Sequence, residues 1–135
     1  MNRFELKPVG YVRSALDDRD RAPKQGDEGA PEAWLVFDGE VDDALRDLEP
    51  GEDILVLTWL HLARRNVLRV HPRSNPASAR KGVFSTRSPD RPNPIGLHRV
   101  TILAVDGRRV RVNNLEAIDG TPIVDVKPVL HGRDR

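Results

Sequence analysis

Two arginines lie in an unusual setting between Gly82 and Leu97, a segment that reads GVFSTRSPDRPNPIGL and is hereafter named the strap. A guanidinium binds a carboxylate or a phosphate through two parallel hydrogen bonds, so Arg87 and Arg91 are candidate ligands for an anion. Prolines at positions 89, 92 and 94 fix their own φ at about −65° and disfavour helix in the residues before them. The strap is therefore predicted to be stiff, neither helical nor a central strand, with its arginines presented to solvent. The alternative is a rigid surface loop whose arginines are only hydrated.

A second distinctive segment, Asp119–Pro128, reads DGTPIVDVKP. Together the two segments resemble the TrmO family, also called the YaeB or VirR-like family, of S-adenosylmethionine-dependent methyltransferases that act on transfer RNA. Family members carry motifs close to GVFATRSP-x-RPNPIG and DGTPVLDIKPY. This chain has Ser85 for the usual alanine of the first motif and Val129 for the tyrosine of the second. Weaker matches, PVGYVRS, PKQ and a strand ending in WLH, extend the resemblance over nearly the whole chain.

The resemblance implies S-adenosylmethionine as the cofactor and carries over a set of binding residues spread along the chain. Arg87 would pair with the carboxylate of the methionine moiety, and the amide of Gln25 can both donate and accept hydrogen bonds. The alternatives are an ordinary loop residue at Gln25, a structural histidine at His61 and a plain β-turn at Asp119. The full expected set is Pro23, Lys24, Gln25, His61, Leu62, Arg87, Leu97, Asp119, Gly120 and Thr121.

Asp125 and Lys127 are the candidate catalytic residues. They alternate along a predicted strand and so face the same side, where they either form an ion pair inside the mouth of a barrel or help remove the proton lost when an exocyclic nitrogen is methylated. The ion pair is slightly favoured. Because a sulfonium is already an activated leaving group, methyl transfer needs little beyond alignment, and the chain has no convincing triad, dyad or metal site.

The net charge of +1 conceals a strong segregation. Residues 1–60 hold seven Lys or Arg against fifteen Asp or Glu, a net of −8, whereas residues 61–111 hold twelve against two, a net of +10. A basic block of this kind favours a polyanion, and Arg64, Arg65 and Arg69 are the predicted RNA contacts. The alternative is that the acidic half covers the basic half, or that the two meet across a dimer interface.

Composition excludes several classes of protein. The 135 residues contain no cysteine, which rules out disulfides, thiolate zinc sites and a cysteine nucleophile. The four histidines show no HxxxH or HxH spacing, so no metal is expected. No apolar run reaches the roughly eighteen residues of a membrane helix, and the expectation is a cytoplasmic protein with one domain, 1–135.

The pattern along the chain is mostly one of short strands. Strands are predicted at 4–13, 33–38 and 54–62, with a further strand at 66–70 beside the third. A hairpin is predicted at 100–112, with its turn at Asp106-Gly107. Val41–Leu48 is the one clear helix, since its apolar residues recur at helical spacing. No GxGxxG follows a strand, so a Rossmann-type cofactor site is absent. The expected fold is a single antiparallel β-barrel with one short helix, and the resemblance implies a homodimer with the cofactor held by loops near the subunit contact.

The resemblance implies N6-methylation of threonylcarbamoyladenosine next to the anticodon of tRNA. Three departures from the family pattern bear on the acceptor: Asn114 and Glu116 precede the DGTP segment where an aspartate is common, and His98 stands where the family often has serine. A methyltransferase with a small-molecule acceptor is therefore kept as an alternative. A non-catalytic nucleic-acid-binding barrel is the other alternative, although few aromatic residues are available for stacking.

Overall fold

The computed structural model describes residues 2–15, 32–72 and 75–130. Within these ranges the chain forms eight strands and two short 3-10 helices. The strands are β1 Gly10–Arg13, β2 Ala33–Phe37, β3 Asp53–Trp59, β4 Arg69–Val70, β5 Lys81–Gly82, β6 Ile95–Asp106, β7 Arg109–Val112 and β8 Pro122–Pro128, and the helices are Gly39–Leu45 and Val83–Ser85.

Six of the strands form one antiparallel sheet whose pairing order closes on itself. The order is β1-β2-β7-β6-β3-β8, and β1 pairs with β8 as well as with β2. The remaining two strands, β4 and β5, pair only with each other in the described ranges. The prediction of a mostly-β chain built from antiparallel strands is thus confirmed.

The core lies on the inner face of this closed sheet. Along β3, Ile54, Val56 and Thr58 are buried while the residues between them are only half-buried, the period of two expected for a strand with one buried face. The same alternation buries Leu35 and Phe37 on β2. The buried apolar cluster comprises Val12, Ala33, Leu35, Phe37, Ile54, Val56, Val100, Ile102, Val110, Val112, Leu115, Ala117 and Ile123.

Antiparallel pairing puts alternate connections at the same end of the sheet. The end of β3 lies beside the starts of β6 and β8, because Trp59 pairs with Ile95 and Thr58 with Ile123. β1 ends there too, since Tyr11 pairs with Pro122 and the strand runs on to Arg13. This end, where β1, β3 and β7 finish and β2, β6 and β8 begin, is named the strap end, because the connection 60–94 leaves and re-enters the sheet there.

Several predicted elements differ from the observed ones. The helix is a 3-10 helix at Gly39–Leu45, begun by the side chain of Asp38 and distorted at Val41, rather than an α-helix over 41–48. Strand β4 pairs with β5 and not with the third predicted strand, now β3. β1 is confined to Gly10–Arg13, and the preceding predicted strand residues are not in a strand.

The prediction that the strap is neither helical nor part of a central strand is wrong at both of its ends. Val83–Ser85 is a 3-10 helix near its start, and its last three residues lie in a central strand. Ile95, Gly96 and Leu97 begin β6, which lies between β3 and β7. The restriction imposed by proline ends at Pro94, and beyond it the pairing of Leu97 with Leu57 continues the ladder.

The predicted hairpin is confirmed, but its loop is shifted by one residue. Asp106 pairs with Arg109, so the two loop residues are Gly107 and Arg108. Gly107 has φ of 60° and Arg108 does not have positive φ, the pattern of a type II′ turn. Arg108 also binds Asp42 of the first 3-10 helix at 2.8 and 3.1 Å, and this hydrogen-bonded ion pair lowers the pKa of Asp42.

Gly10 offers a test of the close packing between β1 and β2. A Cβ at this position would lie 2.4 Å from the carbonyl oxygen of Val36 and 3.0 Å from the Cα of Phe37, both backbone atoms that cannot yield cheaply. We expect Gly10→Ala to reduce the free energy of unfolding by about 1–3 kcal/mol, as overpacking does. Urea denaturation measures the change.

Gly82→Ala is the matched control, because Gly82 has nothing within 4 Å of its Cβ position and a φ of −59°. It should change the free energy of unfolding by no more than about 0.5 kcal/mol. Equal stability of the two variants would contradict the close approach of β1 and β2.

Candidate functional site

The strap end collects most of the described residues expected to bind a cofactor. His61, Leu62 and Arg87 lie in the connection 60–94, and Asp119–Thr121 lie in the connection 113–121 between β7 and β8. Leu97 is near the start of β6 at the same end. Pro23, Lys24 and Gln25 lie outside the described residues. Strand direction therefore brings the ends of both connections to the same end of the sheet.

The strap is folded around the guanidinium of Arg91. This group donates hydrogen bonds to the carbonyl of Ser88 at 2.8 Å, to that of Val83 at 2.7 Å and to that of Thr86 at 2.5 Å. Carbonyl oxygens that would otherwise need water are satisfied by one side chain, which fixes the shape of residues 83–88. The prediction that both strap arginines are presented to solvent is therefore wrong for Arg91.

Two arginines that follow β3 hold the strap against the end of that strand. Arg64 binds Asp90 through both its backbone N–H, at 2.8 Å, and its guanidinium, at 3.2 Å. Arg65 donates to the carbonyl of Pro92 at 2.7 Å and to Oδ1 of Asn93 at 2.9 Å, and its guanidinium lies 5.1 Å from the ring centre of Trp59. Two of the three predicted RNA contacts therefore already have structural partners.

Arg87 has a different environment from its neighbours in the strap. Its side chain is exposed and has no hydrogen bond or ion pair with any residue that the structure describes. It is presented to solvent, as predicted from the strap, on a segment whose backbone is held by Arg91. Such a side chain can bind an anion without first giving up a protein carboxylate.

The turn before β8 is built as predicted. Gly120 has φ of 84°, a left-handed conformation that glycine adopts without strain. Oδ1 of Asp119 accepts a hydrogen bond from the backbone of Ser14 at 3.0 Å and lies 3.7 Å from Nε of Arg13, which fastens the turn to the end of β1. The Asp119 side chain remains 45% exposed and can meet a ligand.

Thr121 stabilises this turn from inside. It is buried, its hydroxyl donates to the carbonyl of Ile118 at 2.7 Å, and its carbonyl accepts from Val12 at 2.9 Å. Its polar groups are thus occupied within the protein. Among the predicted residues, Thr121 supports the turn that carries Asp119 and Gly120.

The apolar members of the predicted set are exposed. Leu62 and Leu97 are roughly half exposed, and His61 is also on the surface. Leu97 lies on the outer face of the sheet opposite Leu57. The hydrogen bond from Leu60 N–H to the carbonyl of Pro94, 2.8 Å, keeps the two ends of the connection 60–94 together.

Asp125 and Lys127 form the predicted ion pair, at 3.1 Å. Their partners in the ladder are Leu57 and Leu55, which point outward from β3. The pair therefore lies on the outer face of the sheet and not inside its mouth. Both side chains are about half exposed, so solvent screens their attraction.

The structure also shows a buried polar network that the sequence did not predict. Nε2 of His98 is 2.7 Å from the hydroxyl of Thr58, and Nδ1 is 2.7 Å from the carboxylate of Glu116. His98 is only 3% exposed. A neutral imidazole satisfies the geometry: Thr58 donates to Nε2 while Nδ1–H donates to Glu116. The network joins the connection 113–121 to β6 and β3.

Gly96 makes this network possible. A Cβ at this position would lie 2.4 Å from Oγ1 of Thr58 and 2.7 Å from Nε2 of His98. The signal for the network was present in the sequence, because His98 and Glu116 are two of the three departures from the family pattern. Nothing in the sequence indicated that the two side chains contact each other.

Two further features of the described ranges bear on the class of site. No group of three or more His, Cys, Asp or Glu side chains there is arranged to hold a metal ion. None of the helices in the same ranges combines the length and apolar character needed to cross a bilayer.

Known proteins similar to this chain match it over different fractions of their own length. A probable S-adenosyl-L-methionine-binding protein of Methanothermobacter thermautotrophicus is 48% identical over 125 residues, covering 93% of this chain and 89% of that protein. The Escherichia coli tRNA (adenine(37)-N6)-methyltransferase is 33% identical over 139 residues, covering 96% of this chain and 59% of the enzyme. A crystal structure of TrmO from Pseudomonas aeruginosa superimposes with a TM-score of 0.78 at 27% identity, covering 100% of this chain and 58% of that one.

The chain thus spans about three fifths of the E. coli and Pseudomonas proteins but most of the Methanothermobacter protein. The model of the tRNA-methyltransferase O N-terminal domain matches residues 11–135, which include both the strap and the Asp119–Pro128 segment. The resemblance inferred from those two segments is confirmed, and the chain belongs to the family of the tRNA-methyltransferase O N-terminal domain.

Proposed function

We propose that this protein binds S-adenosylmethionine at the strap end and transfers its methyl group to an adenine of tRNA. The observation that carries the proposal is the joint placement of Arg87, Leu97 and Asp119 at one end of the sheet, in a chain that aligns over 96% of its length with an enzyme named for this reaction. The finer proposal is that the acceptor is N6 of threonylcarbamoyladenosine next to the anticodon. A tRNA acceptor implies a cytoplasmic location.

The side chains at the strap end fit the chemical groups of S-adenosylmethionine. The methionine carboxylate needs a cation, and Arg87 is an exposed guanidinium without a partner among the described residues. The ammonium and the ribose hydroxyls need an acceptor, which the exposed carboxylate of Asp119 supplies. The adenine needs apolar contact, for which Leu62 and Leu97 are available. We place His61, Pro23, Lys24 and Gln25 around the same ligand.

The chemistry of transfer depends mainly on alignment. The bound cofactor supplies a methyl group on a sulfonium, so the contribution of the protein is to orient the acceptor nitrogen and to accept the proton that it releases. Asp125 is the candidate to accept that proton. It lies on the outer face opposite Leu57, which in turn pairs with Leu97, so one row across three strands joins the carboxylate to the proposed cofactor site.

The proposed active form is a homodimer. Leu57, Trp59, Ile95 and Leu97 make the outer face of β3 and β6 apolar at the strap end, and Ile95 and Leu97 are over 40% exposed. An apolar surface beside the proposed cofactor site supports a subunit contact there. The closed sheet would act as a barrel that presents this face to the second subunit.

Methyl transfer itself is tested by incubating the protein with tRNA and S-adenosylmethionine labelled in the methyl group, followed by nucleoside analysis. We expect label in N6-methyl-threonylcarbamoyladenosine, and none with tRNA that lacks the threonylcarbamoyl group. Label in another nucleoside would contradict the finer acceptor. Absence of transfer by a protein that binds the cofactor would contradict the enzymatic function.

Arg87→Ala should weaken binding of S-adenosylhomocysteine, which carries the same carboxylate, by about 1.5–3 kcal/mol, or roughly 10- to 150-fold. Isothermal calorimetry measures the affinity. Arg109→Ala is the control, because Arg109 is also exposed but pairs with Asp106 beside the hairpin loop, at the other end of the sheet. Equal affinity of the folded Arg87→Ala variant and the wild type would remove Arg87 from the site.

The dimer is tested by a charge placed in the proposed contact. Ile95→Glu should shift the protein toward monomer in analytical sedimentation, because a carboxylate would be desolvated in the interface, and cofactor should shift the wild type toward dimer by mass action. Val105→Glu places the same residue at the far end of the same strand and should leave the assembly unchanged. A monomer that binds cofactor with full affinity would exclude a shared site.

A further inference from the structure

The lysines and arginines of the described ranges divide into paired and unpaired groups. Most of them contact a carboxylate or a backbone carbonyl, as Arg13, Arg99 and Arg111 do through Asp119, Asp53 and Glu32. Five have no such partner among the described residues, namely Arg3, Arg69, Arg80, Lys81 and Arg87. Four of the five fall between positions 69 and 87, so the free positive charge of the described surface is concentrated in one region.

Three of these cations lie on or beside the small β4–β5 sheet. Arg69 is opposite Gly82, Val70 is opposite Lys81, and Arg80 directly precedes β5. This two-stranded sheet has no hydrogen-bonded neighbour strand in the described ranges, and all three cationic side chains are exposed. Arg69, Arg80 and Lys81 are named the basic ribbon.

Phe84 lies between these cations in the sequence. It is 84% exposed, three residues after Lys81 and three before Arg87. Its neighbour Val83 is buried, which anchors the turn on one side and directs the next side chain outward. An aromatic ring left in water between cations is unusual for a surface that has only to be soluble.

The exposure of Phe84 is imposed by a rigid turn. The carbonyl of Val83 accepts hydrogen bonds from Thr86 N–H at 3.0 Å, from the Thr86 hydroxyl at 2.9 Å and from Arg91 at 2.7 Å. The N–H of Val83 donates to Leu68 at 2.9 Å, which ties the turn to the residue before β4. Because the backbone that carries the ring is already fixed, stacking of a second flat surface on Phe84 would not have to order the turn.

We propose that Phe84 is a stacking platform for an unpaired base of the acceptor RNA and that the basic ribbon binds the adjoining phosphates. The proposal rests on the proposed function in taking RNA as the acceptor. Stacking on an aromatic ring requires a base that is not paired in a duplex, and unpaired cations bind phosphate without displacing a protein carboxylate. A second copy of the chain fits the surface poorly, because a symmetric contact there would bring the two sets of cations together.

This assignment revises the predicted RNA contacts. Arg69 remains, whereas Arg64 and Arg65 are engaged with the strap through Asp90, Pro92 and Asn93. Arg80 and Lys81 take their place.

The stacking role is tested with an anticodon stem–loop RNA and, in parallel, a fully paired duplex of the same length. Phe84→Leu keeps an apolar side chain but loses the ring, and should weaken stem–loop binding by about 5- to 150-fold without changing its salt dependence. Phe84→Trp should bind like the wild type. Binding to the duplex should be the same for all three proteins. Fluorescence anisotropy at several salt concentrations gives these values.

The phosphate contacts are tested by a triple variant, Arg69→Ala, Arg80→Ala and Lys81→Ala. The slope of log affinity against log salt for the stem–loop should become shallower by about two units, at about 0.7 per lost contact with single-stranded RNA. Arg46→Ala, Arg108→Ala and Arg109→Ala together remove the same charge from arginines paired with carboxylates. That control should keep the wild-type slope.

Calorimetry with S-adenosylhomocysteine separates this inference from the proposed function. Wild-type cofactor affinity in the Phe84 and basic-ribbon variants, with RNA binding reduced as described, supports the platform. Unreduced RNA affinity in Phe84→Leu overturns it while leaving the methyltransferase proposal intact. A change in sedimentation rather than in RNA affinity for Phe84→Leu would assign the ring to a subunit contact and also overturn it. Circular dichroism and urea denaturation confirm that each variant is folded.

Discussion

Antiparallel pairing is the constraint on which the rest of this structure depends. Because each strand of the closed sheet runs opposite to both neighbours, connections alternate between the two ends, and 60–94 and 113–121 share one of them. The other end carries the first 3-10 helix and the tight loop at Gly107 and Arg108. The ladder between β3 and β6 therefore fixes both ends of the connection 60–94. Strand direction thus brings together the two connections that carry the proposed site.

Arginine performs three physically different tasks within this one connection. Arg91 donates to three backbone carbonyls of the strap, Arg64 and Arg65 bind the strap to the end of β3, and Arg87 has no partner among the described residues. The contacts of Arg91, Arg64 and Arg65 fix the backbone that carries Arg87. This favours anion binding by Arg87, since a cation on a mobile loop would lose more conformational entropy on binding. The net charge of residues 61–111 counts each of these arginines equally, although their contacts differ. Only their contacts show which charge is available to a ligand.

The sequence predicted those parts of the fold that depend on local pattern. A short apolar run that ends before Gly39 was enough for β2, and Asp106-Gly107 was enough to place a hairpin within one residue of its true loop. The α-helix prediction failed because the backbone leaves helical φ/ψ at Val41, and this kink lets both Val41 and Leu45 pack against the core. The strand at Ile95 was missed because the preceding prolines dominated the interpretation, although pairing with β3 decides the conformation there. The motifs indicated which residues to examine for a site, but contacts such as Arg64 with Asp90, which are 26 positions apart, depend on the folded chain.

The network of Thr58, His98 and Glu116 has a consequence for how this sequence can change over time. Losing one member leaves a buried polar group without a partner, at a cost of about 1–3 kcal/mol. Position 96 is tied to the same network, because a Cβ there would clash with Thr58 and His98. A change from histidine to serine at position 98 should therefore cost least where position 116 carries a shorter side chain or one that turns toward solvent. We expect the two positions to be coupled, so a chimera that takes β6 from one relative and the connection 113–121 from another would leave a polar group of this network without its partner.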